Sequence, residues 1–227
     1  MNDKAQSVFF IKVVHLHTQK KTIMIIDEIK EILEHEAQAV KNIPATDDFV
    51  NAVNLIHQQV HEKGGKLITT GMGKAGQIAI NMATTFSSTG TAACFLHPSE
   101  AQHGDLGILQ ENDVLLMISN SGKTREIIEL IDLARGLRPN VPIVVITSNT
   151  ASVLAQESDV CLNTGNPKEV CTLGLTPTTS TTTMTVIGDV LVVLLMKKIK
   201  FDNTEYAKRH HGGYLGQQSR KAAGLNK

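Results

Sequence analysis

From residue 66 onward the chain alternates short apolar runs with stretches whose apolar positions recur every three or four residues. That is the pattern of strands buried on both faces alternating with amphipathic helices. The runs predict strands at 66–70, 92–96, 113–118, 142–147 and 159–162, and the periodic stretches predict helices at 74–87, 124–137, 151–156, 180–198 and 202–209. Two helices precede them. Asp27 is the candidate N-cap of the first, with Ile29, Ile32, Leu33, Ala37 and Val40 along it, and the second runs from about Asp47 to Lys63 and stops at Gly64-Gly65. Alternation of this kind predicts an α/β fold, a three-layer α/β/α sandwich around a five-stranded parallel sheet, whose ligands sit beyond the carboxyl ends of the strands. Residues 1–23 are expected to be a poorly ordered extension, with Met24 an alternative start and 24–227 a single domain. The apolar run Val8–Ile11 is short, is followed by Lys12 and lacks a small-residue cleavage site, so it does not read as a signal peptide.

Composition narrows the function classes. In 227 residues, Lys plus Arg and Asp plus Glu each total 22, so no global field recruits nucleic acid or an anionic membrane. The apolar run Val190–Met196 is shorter than the ~20 residues that span a bilayer, and reads as a buried helix. The three cysteines, Cys94, Cys161 and Cys171, have no metal-like spacing. They suggest reduced thiols in a cytoplasmic protein rather than a disulfide framework.

The densest chemistry lies in Ser-Asn-Ser-Gly-Lys-Thr-Arg-Glu at 119–126, where the strand ending at Ile118 becomes the helix carrying Ile127, Ile128, Ile131, Ala134 and Leu137. Unpaired N–H groups and the positive end of the helix dipole favour a dianion there. Ser119, Asn120, Ser121 and Thr124 offer polar side chains to it, and Gly122 lets the backbone approach closely. An ordinary turn with a Ser N-cap would explain one hydroxyl, not three within six residues.

Gly71-Met-Gly73-Lys74-Ala-Gly76 formally matches the dinucleotide fingerprint, yet 91–96 supplies no acidic residue to hold a ribose, and no Ser or Thr follows Lys74 as a Walker loop requires. The glycines read instead as close approach to a small ligand, with Gly73 at its edge and Lys74 reaching a hydroxyl or a developing oxyanion. The alternative is a surface lysine on a first helical turn. His97, Glu100, His103 and Asp105 are possible metal ligands, but their spacing matches no metal signature, and a histidine serves better here as a proton donor and acceptor. Pro177 followed by Thr178, Thr179 and Ser180 opens another helix and predicts an oxygen-rich pocket wall. His210 and His211 beside Gly212-Gly213 read as a defined turn rather than a polar tail.

These motifs together resemble the sugar isomerase (SIS) domain family, and within it the arabinose 5-phosphate isomerases, over about residues 25–218. The matching segments are G-x-G-K-x-G at 71–76, H-P-x-E-A-x-H-G-D-L-G at 97–107, S-N-S-G at 119–122, C-x-L-G-L-x-P-T-x-S-T-T at 171–182 and H-x-G-G-x-L-G at 210–216. The resemblance implies a flavodoxin-like sheet and cofactor-free interconversion of D-ribulose 5-phosphate and D-arabinose 5-phosphate through an enediol. That reaction supplies the Kdo sugar of lipopolysaccharide and some capsules. It implies catalytic roles for Lys74, His103, Glu126, Glu169 and His210, and no metal.

The resemblance has departures: His211 stands where the family has proline, Ser99 where it often has glycine, and Lys123 where it often has glutamate. Many members continue into a CBS pair that this chain lacks, so control through such modules is not expected. Feedback is expected at the substrate cleft, from a later pathway anion such as CMP-Kdo. A homo-oligomer, a tetramer with shared active sites, is expected from the family and from apolar surface on the early helices and 184–196. A noncatalytic sugar-phosphate sensor, or an isomerase of another sugar phosphate, is the alternative function.

Overall fold

The computed structural model describes residues 3–225, and side chains from residue 22 to residue 225. The expected poorly ordered extension, 1–23, therefore falls almost wholly outside the residues whose side chains are described. Five parallel strands form one sheet: β1 (Leu67–Gly71), β2 (Ala93–Phe95), β3 (Val114–Ile118), β4 (Ile143–Thr147) and β5 (Val160–Asn163). Their order is β2-β1-β3-β4-β5, with Leu67 opposite both Ala93 and Val114. Each strand lies within a residue of its sequence expectation at the start. A doubly covered strand has no polar face, so its apolar run is continuous and its limits are legible.

The sheet is covered on both sides, as the expected sandwich requires. On one side α2 (Asp47–Ile56), α3 (Gly73–Ser88) and α7 (Thr179–Lys198) bury Phe49, Ile56, Met82, Phe86, Ile187 and Leu191 against Leu67, Leu116 and Val144. On the other, α4 (Pro98–Ala101), α5 (Arg125–Leu137) and α6 (Val153–Gln156) bury Ala101, Ile127, Leu130, Ile131 and Leu154 against Ile68, Leu115, Met117 and Val145. Successive strand residues enter opposite clusters, the two-residue period of a pleated strand. At the amino edge, buried Asp113 accepts hydrogen bonds from the backbone N–H groups of Lys66 and Gln110 and from Lys66 Nζ, at 2.8, 2.7 and 2.6 Å. It thereby ties the start of β1 to the start of β3.

Several helices depart from their sequence limits. Asp27 lies inside α1 (Asp3–Lys41) rather than capping it, and pairs with Lys30 at 3.0 Å. The second helix begins at Asp47 as expected, but after Ile56 it widens into a π-helical turn, His57–Glu62. Helix α8 (Asn203–Arg209) is followed by α9 (Gly213–Ala222), which the Gly-Gly signal had suggested only as a turn. By length and apolarity Thr179–Lys198 could cross a membrane, yet half of its most apolar window is buried and its inner side packs on the sheet, the behaviour of a core helix.

Candidate active site

The strand order reverses between β1 and β3, because β2 lies on one side of β1 and all later strands on the other. Connections leaving the two strands diverge there, opening a crevice at the carboxyl edge. A cavity of about 350 Å³ occupies that place. Met72, Lys74 and Ala75 line it from the β1 side, Ser119, Asn120, Ser121 and Thr124 from the β3 side, and Glu169, Leu175, Pro177 and Ser180 from the approach to α7.

The 119–124 loop is held by its carbonyls. Asn120 O accepts from Thr147 Oγ1, Ser148 Oγ and Ser148 N at 3.1, 2.7 and 3.1 Å, and Ser121 O accepts from Asn149 Nδ2 at 3.1 Å. Tying the Asn120 and Ser121 carbonyls back to the β4 end fixes the loop, and the N–H groups of Ser119 and Gly122 add bonds to Ile146 O and Ser119 O at 3.1 and 3.2 Å. The α5 N-cap, Thr124, makes no side-chain cap and instead meets Ser119 Oγ at 2.9 Å. Ser121 Oγ accepts from Lys123 N at 3.2 Å, which leaves its proton to donate. Asn120 Oδ1 is buried with no hydrogen-bond partner among the described residues. An uncapped helix N-terminus with convergent hydroxyls has the form of an anion site. Gly122 does not line it: it has φ +64°, and a Cβ there would strike Ser152 Oγ behind the loop.

The first glycine motif is explained differently from its sequence reading. A Cβ on Gly76 would lie 2.7 Å from Gly71 O, and one on Gly71 would lie 2.9 Å from Ala75 O. These two glycines serve close packing of α3 on β1 rather than approach to a ligand. Gly73, at φ +58°, turns the chain into α3 with open space around it. Lys74 follows it, exposed, on the cavity wall.

The N-terminus of α7 faces the same cavity but is already occupied by an anion. Glu169 Oε2 accepts from Thr178 N, Thr178 Oγ1 and Ser180 N at 2.8, 3.1 and 3.2 Å. Burial pushes the Glu169 carboxyl up, but the hydrogen bonds from Ser180 and Thr178 outweigh it and hold the group below the ordinary carboxylate value. Glu169 is thus an ionised acceptor rather than a proton-bearing group. Thr178 and Thr179 stand behind the wall, Thr178 on Glu169 and Thr179 fully buried with its hydroxyl on Glu36 Oε1 at 2.7 Å, while Ser180 reaches the cavity.

The cavity therefore gathers Lys74, Ser119, Asn120, Ser121, Thr124, Glu169 and Ser180, and its lining does not include His103, Glu126 or His210. His103 is exposed in the turn after α4, and Glu126 is half-buried in the first turn of α5. His210 follows α8, its ring stacked on Tyr206 at 3.7 Å and 6°, with Nδ1 3.1 Å from Tyr206 O. The sequence reading missed Thr181 and Met184 on the α7 wall. Met184 lies one helical turn along from Ser180, so the helical period of 180–198 was the available signal for it, whereas Thr181 simply follows Ser180 in the hydroxyl run. Among the described residues no cluster of His, Cys, Asp and Glu could hold a metal ion.

The model of the SIS domain matches residues 59–194 of this chain. Arabinose 5-phosphate isomerase KdsD of Francisella tularensis is 45% identical over 172 residues, 76% of this chain and 52% of that protein. The chain spans about half the length of the curated relatives it matches. A Bacteroides fragilis structure described as a candidate phosphosugar isomerase involved in capsule formation is 68% identical, with a TM-score of 0.83 over 84% of this chain and 99% of that one. An Escherichia coli CFT073 protein in complex with A5P is 32% identical, with a TM-score of 0.76 over 82% of this chain and 97% of that one.

The packing behind the anion loop predicts the effect of one methyl group. Gly122→Ala forces a left-handed residue and a clash with Ser152, and should weaken binding of inorganic phosphate at this helix N-terminus at least ~10-fold, a loss of about 1.4 kcal/mol. Adding Ser152→Gly should recover part of it by removing the clash while the φ strain stays. Isothermal titration of both variants with inorganic phosphate checks this, and unchanged affinity in Gly122→Ala would contradict the loop's packing role.

Proposed function

This chain belongs to the SIS domain family, and we propose that it interconverts D-ribulose 5-phosphate and D-arabinose 5-phosphate, the entry reaction of Kdo synthesis for lipopolysaccharide or capsule. The observation that carries the reading is the single cavity joining an uncapped, hydroxyl-lined helix N-terminus to a lysine and an ionised glutamate. Support also comes from relatives 40–45% identical that are named for this activity.

In this mechanism the phosphate dianion sits on the N-terminus of α5, bound by Ser119, Ser121 and Thr124. Glu169 already fills the N-terminus of α7, so it directs the phosphate to α5 and leaves the sugar end toward Lys74. Lys74 stabilises negative charge on the oxygen as the enediol forms, and Glu169 accepts from a sugar hydroxyl. His103 moves the proton between C1 and C2, His210 assists ring opening, and Glu126 orients its neighbours. No cofactor takes part.

In the proposed homotetramer the C-terminal segment of one subunit carries His210 across the interface to complete a neighbour's cleft containing His103. Its support is an apolar surface on α1, where Ile23, Met24, Ile29 and Leu33 are 59, 64, 50 and 63% exposed, continued by Val50 on α2 and Val193 on α7. The three unpaired thiols support a cytoplasmic setting.

The test of the activity is NMR observation of arabinose 5-phosphate forming from ribulose 5-phosphate with purified protein. No turnover there, with tight binding of the sugar phosphate, would make the protein a sensor. Conversion of a different ketose phosphate would change the substrate. Within an active enzyme Ser121→Ala should chiefly raise KM, whereas His103→Ala should lower kcat by ~10²–10⁴-fold. Near-normal turnover in His103→Ala would remove it as the base.

Co-refolding inactive His103→Ala and His210→Ala chains should restore partial activity through wild-type clefts formed between subunits. Mixed oligomers demonstrated by differential tags but as inactive as either parent would overturn the shared site.

Feedback by CMP-Kdo is supported by the anion-binding wall of the cleft, and should be competitive with ribulose 5-phosphate. Noncompetitive inhibition, or none at millimolar concentration, would count against it.

A further inference from the structure

Two consecutive residues near the end of α1 grip the backbone on either side of Glu169. His35 Nε2 lies 2.8 Å from Lys168 O, the carbonyl just before Glu169. Glu36 Oε1 accepts from Thr179 Oγ1 at 2.7 Å, and Thr179 Oγ1 in turn accepts from Val170 N, the amide just after Glu169, at 3.1 Å. Thr179 is fully buried. The other Glu36 oxygen, Oε2, is buried and has no hydrogen-bond partner among the described residues.

A buried acceptor left unsatisfied is destabilising, so a carboxylate is a poor choice for packing α1 against α7. Apolar residues would do that more cheaply. What a carboxylate adds is a strong acceptor for the Thr179 hydroxyl, which turns that hydroxyl's lone pairs toward Val170 N. It also adds a charge favoured at the positive end of α7. With the peptide groups before and after it both held, Glu169 has little backbone freedom left, and its carboxylate lies on Thr178 and Ser180 while Lys74 lines the same cavity from the β1 side.

We infer that Glu36, acting through Thr179, is a positioning residue that holds Glu169 on the N-terminus of α7 in the geometry the reaction needs. It touches no substrate. Glu169 also has His35, Lys168 and Cys171 nearby along the chain and on α1, but the Thr178 and Ser180 donors are what keep its carboxyl ionised. Loosening Thr179 loosens both donors, because Thr179 lies between them in sequence.

The inference rests on the isomerase reading. It is tested by Glu36→Ala, Glu36→Gln and Thr179→Val in the full chain, each checked for folding by circular dichroism. Glu36→Ala and Thr179→Val should each lower kcat ~10-fold with KM changed less than about threefold, the signature of a misplaced catalytic group. The acid limb of their kcat profile should move to higher pH, because Glu169 loses donors to its ionised form. Glu36→Gln keeps an acceptor for Thr179 and should recover most of kcat, and the double variant should be no worse than either single one.

A readout independent of turnover comes from ¹³C-labelled glutamate. The Glu169 side-chain resonance, assigned by its loss in Glu169→Gln, should titrate at higher pH in Glu36→Ala and in Thr179→Val than in wild type. If Glu36→Ala does not fold, Thr179→Val, which removes only the relay hydroxyl, decides the matter. Unchanged kcat and an unchanged Glu169 titration in a folded variant would overturn the role, as would Glu36→Gln being as poor as Glu36→Ala. Wild-type protein that fails to convert ribulose 5-phosphate would remove the isomerase reading, and the titration would still decide whether Glu36 positions Glu169.

Discussion

A helix that begins inside a folded protein leaves its first N–H groups without intrahelical partners, and the cleft is built from three such beginnings. The α3 N-cap, Met72, and the α5 N-cap, Thr124, make no side-chain cap, whereas α7 is capped by a glutamate nine residues upstream of Thr178. Two positive ends are thus open toward the cavity and one is neutralised. A dianion placed in this cleft is drawn to one end of it. The electrostatics give the pocket a polarity before any catalytic group is considered.

The close approach that makes this possible depends on missing side-chain atoms. A Cβ on Gly76 would press on Gly71 O, and one on Gly188 would meet Met82 Cε on the neighbouring helix. Helices α3 and α7 can therefore sit near enough to the sheet and to each other to bring Lys74 and Ser180 to one wall. Gly122 does the same for the loop after β3, nested against Ser152. Packing decides the dimensions of the cleft, and hydrogen bonds to loop carbonyls then fix its lining.

Helix α1 joins two levels of organisation. Its exposed apolar residues, Ile23 to Leu33, directly precede its polar ties to the Glu169 segment, made by His35 and Glu36. One stretch of helix carrying an apolar surface and, next to it, a hydrogen-bonded carboxylate links what covers that surface to the back of the cleft. Helix α8 has a comparable internal anchor, since Phe201 packs edge-on against Tyr206 and lies under the Arg209 guanidinium, 5.3 Å from the ring centroid. That cluster holds His210 in a stacked pose just past the helix end.

The sequence by itself determined the layered α/β architecture, because a strand buried on both faces must be a continuous apolar run and an amphipathic helix must repeat every three to four residues. It also marked 119–124 as a polar stretch that lines the cleft, since Ser119, Asn120, Ser121 and Thr124 are close along the chain and need no distant partner to be recognised. The π-helical turn at His57–Glu62 was not legible, because it shares the apolar spacing of an ordinary helix end. Nor was α9, whose Gly212-Gly213 start signals a turn and nothing beyond it. Thr179 read as a hydroxyl for the ligand, but the fold spends it on Glu36, 143 residues away. Gly71 and Gly76 read as room for a ligand, but a helix backbone takes that room. Only the tertiary structure decided these points: local spacing fixes which groups a segment can offer, while the partner each group takes is set by which distant segments the packing brings within a hydrogen bond's length.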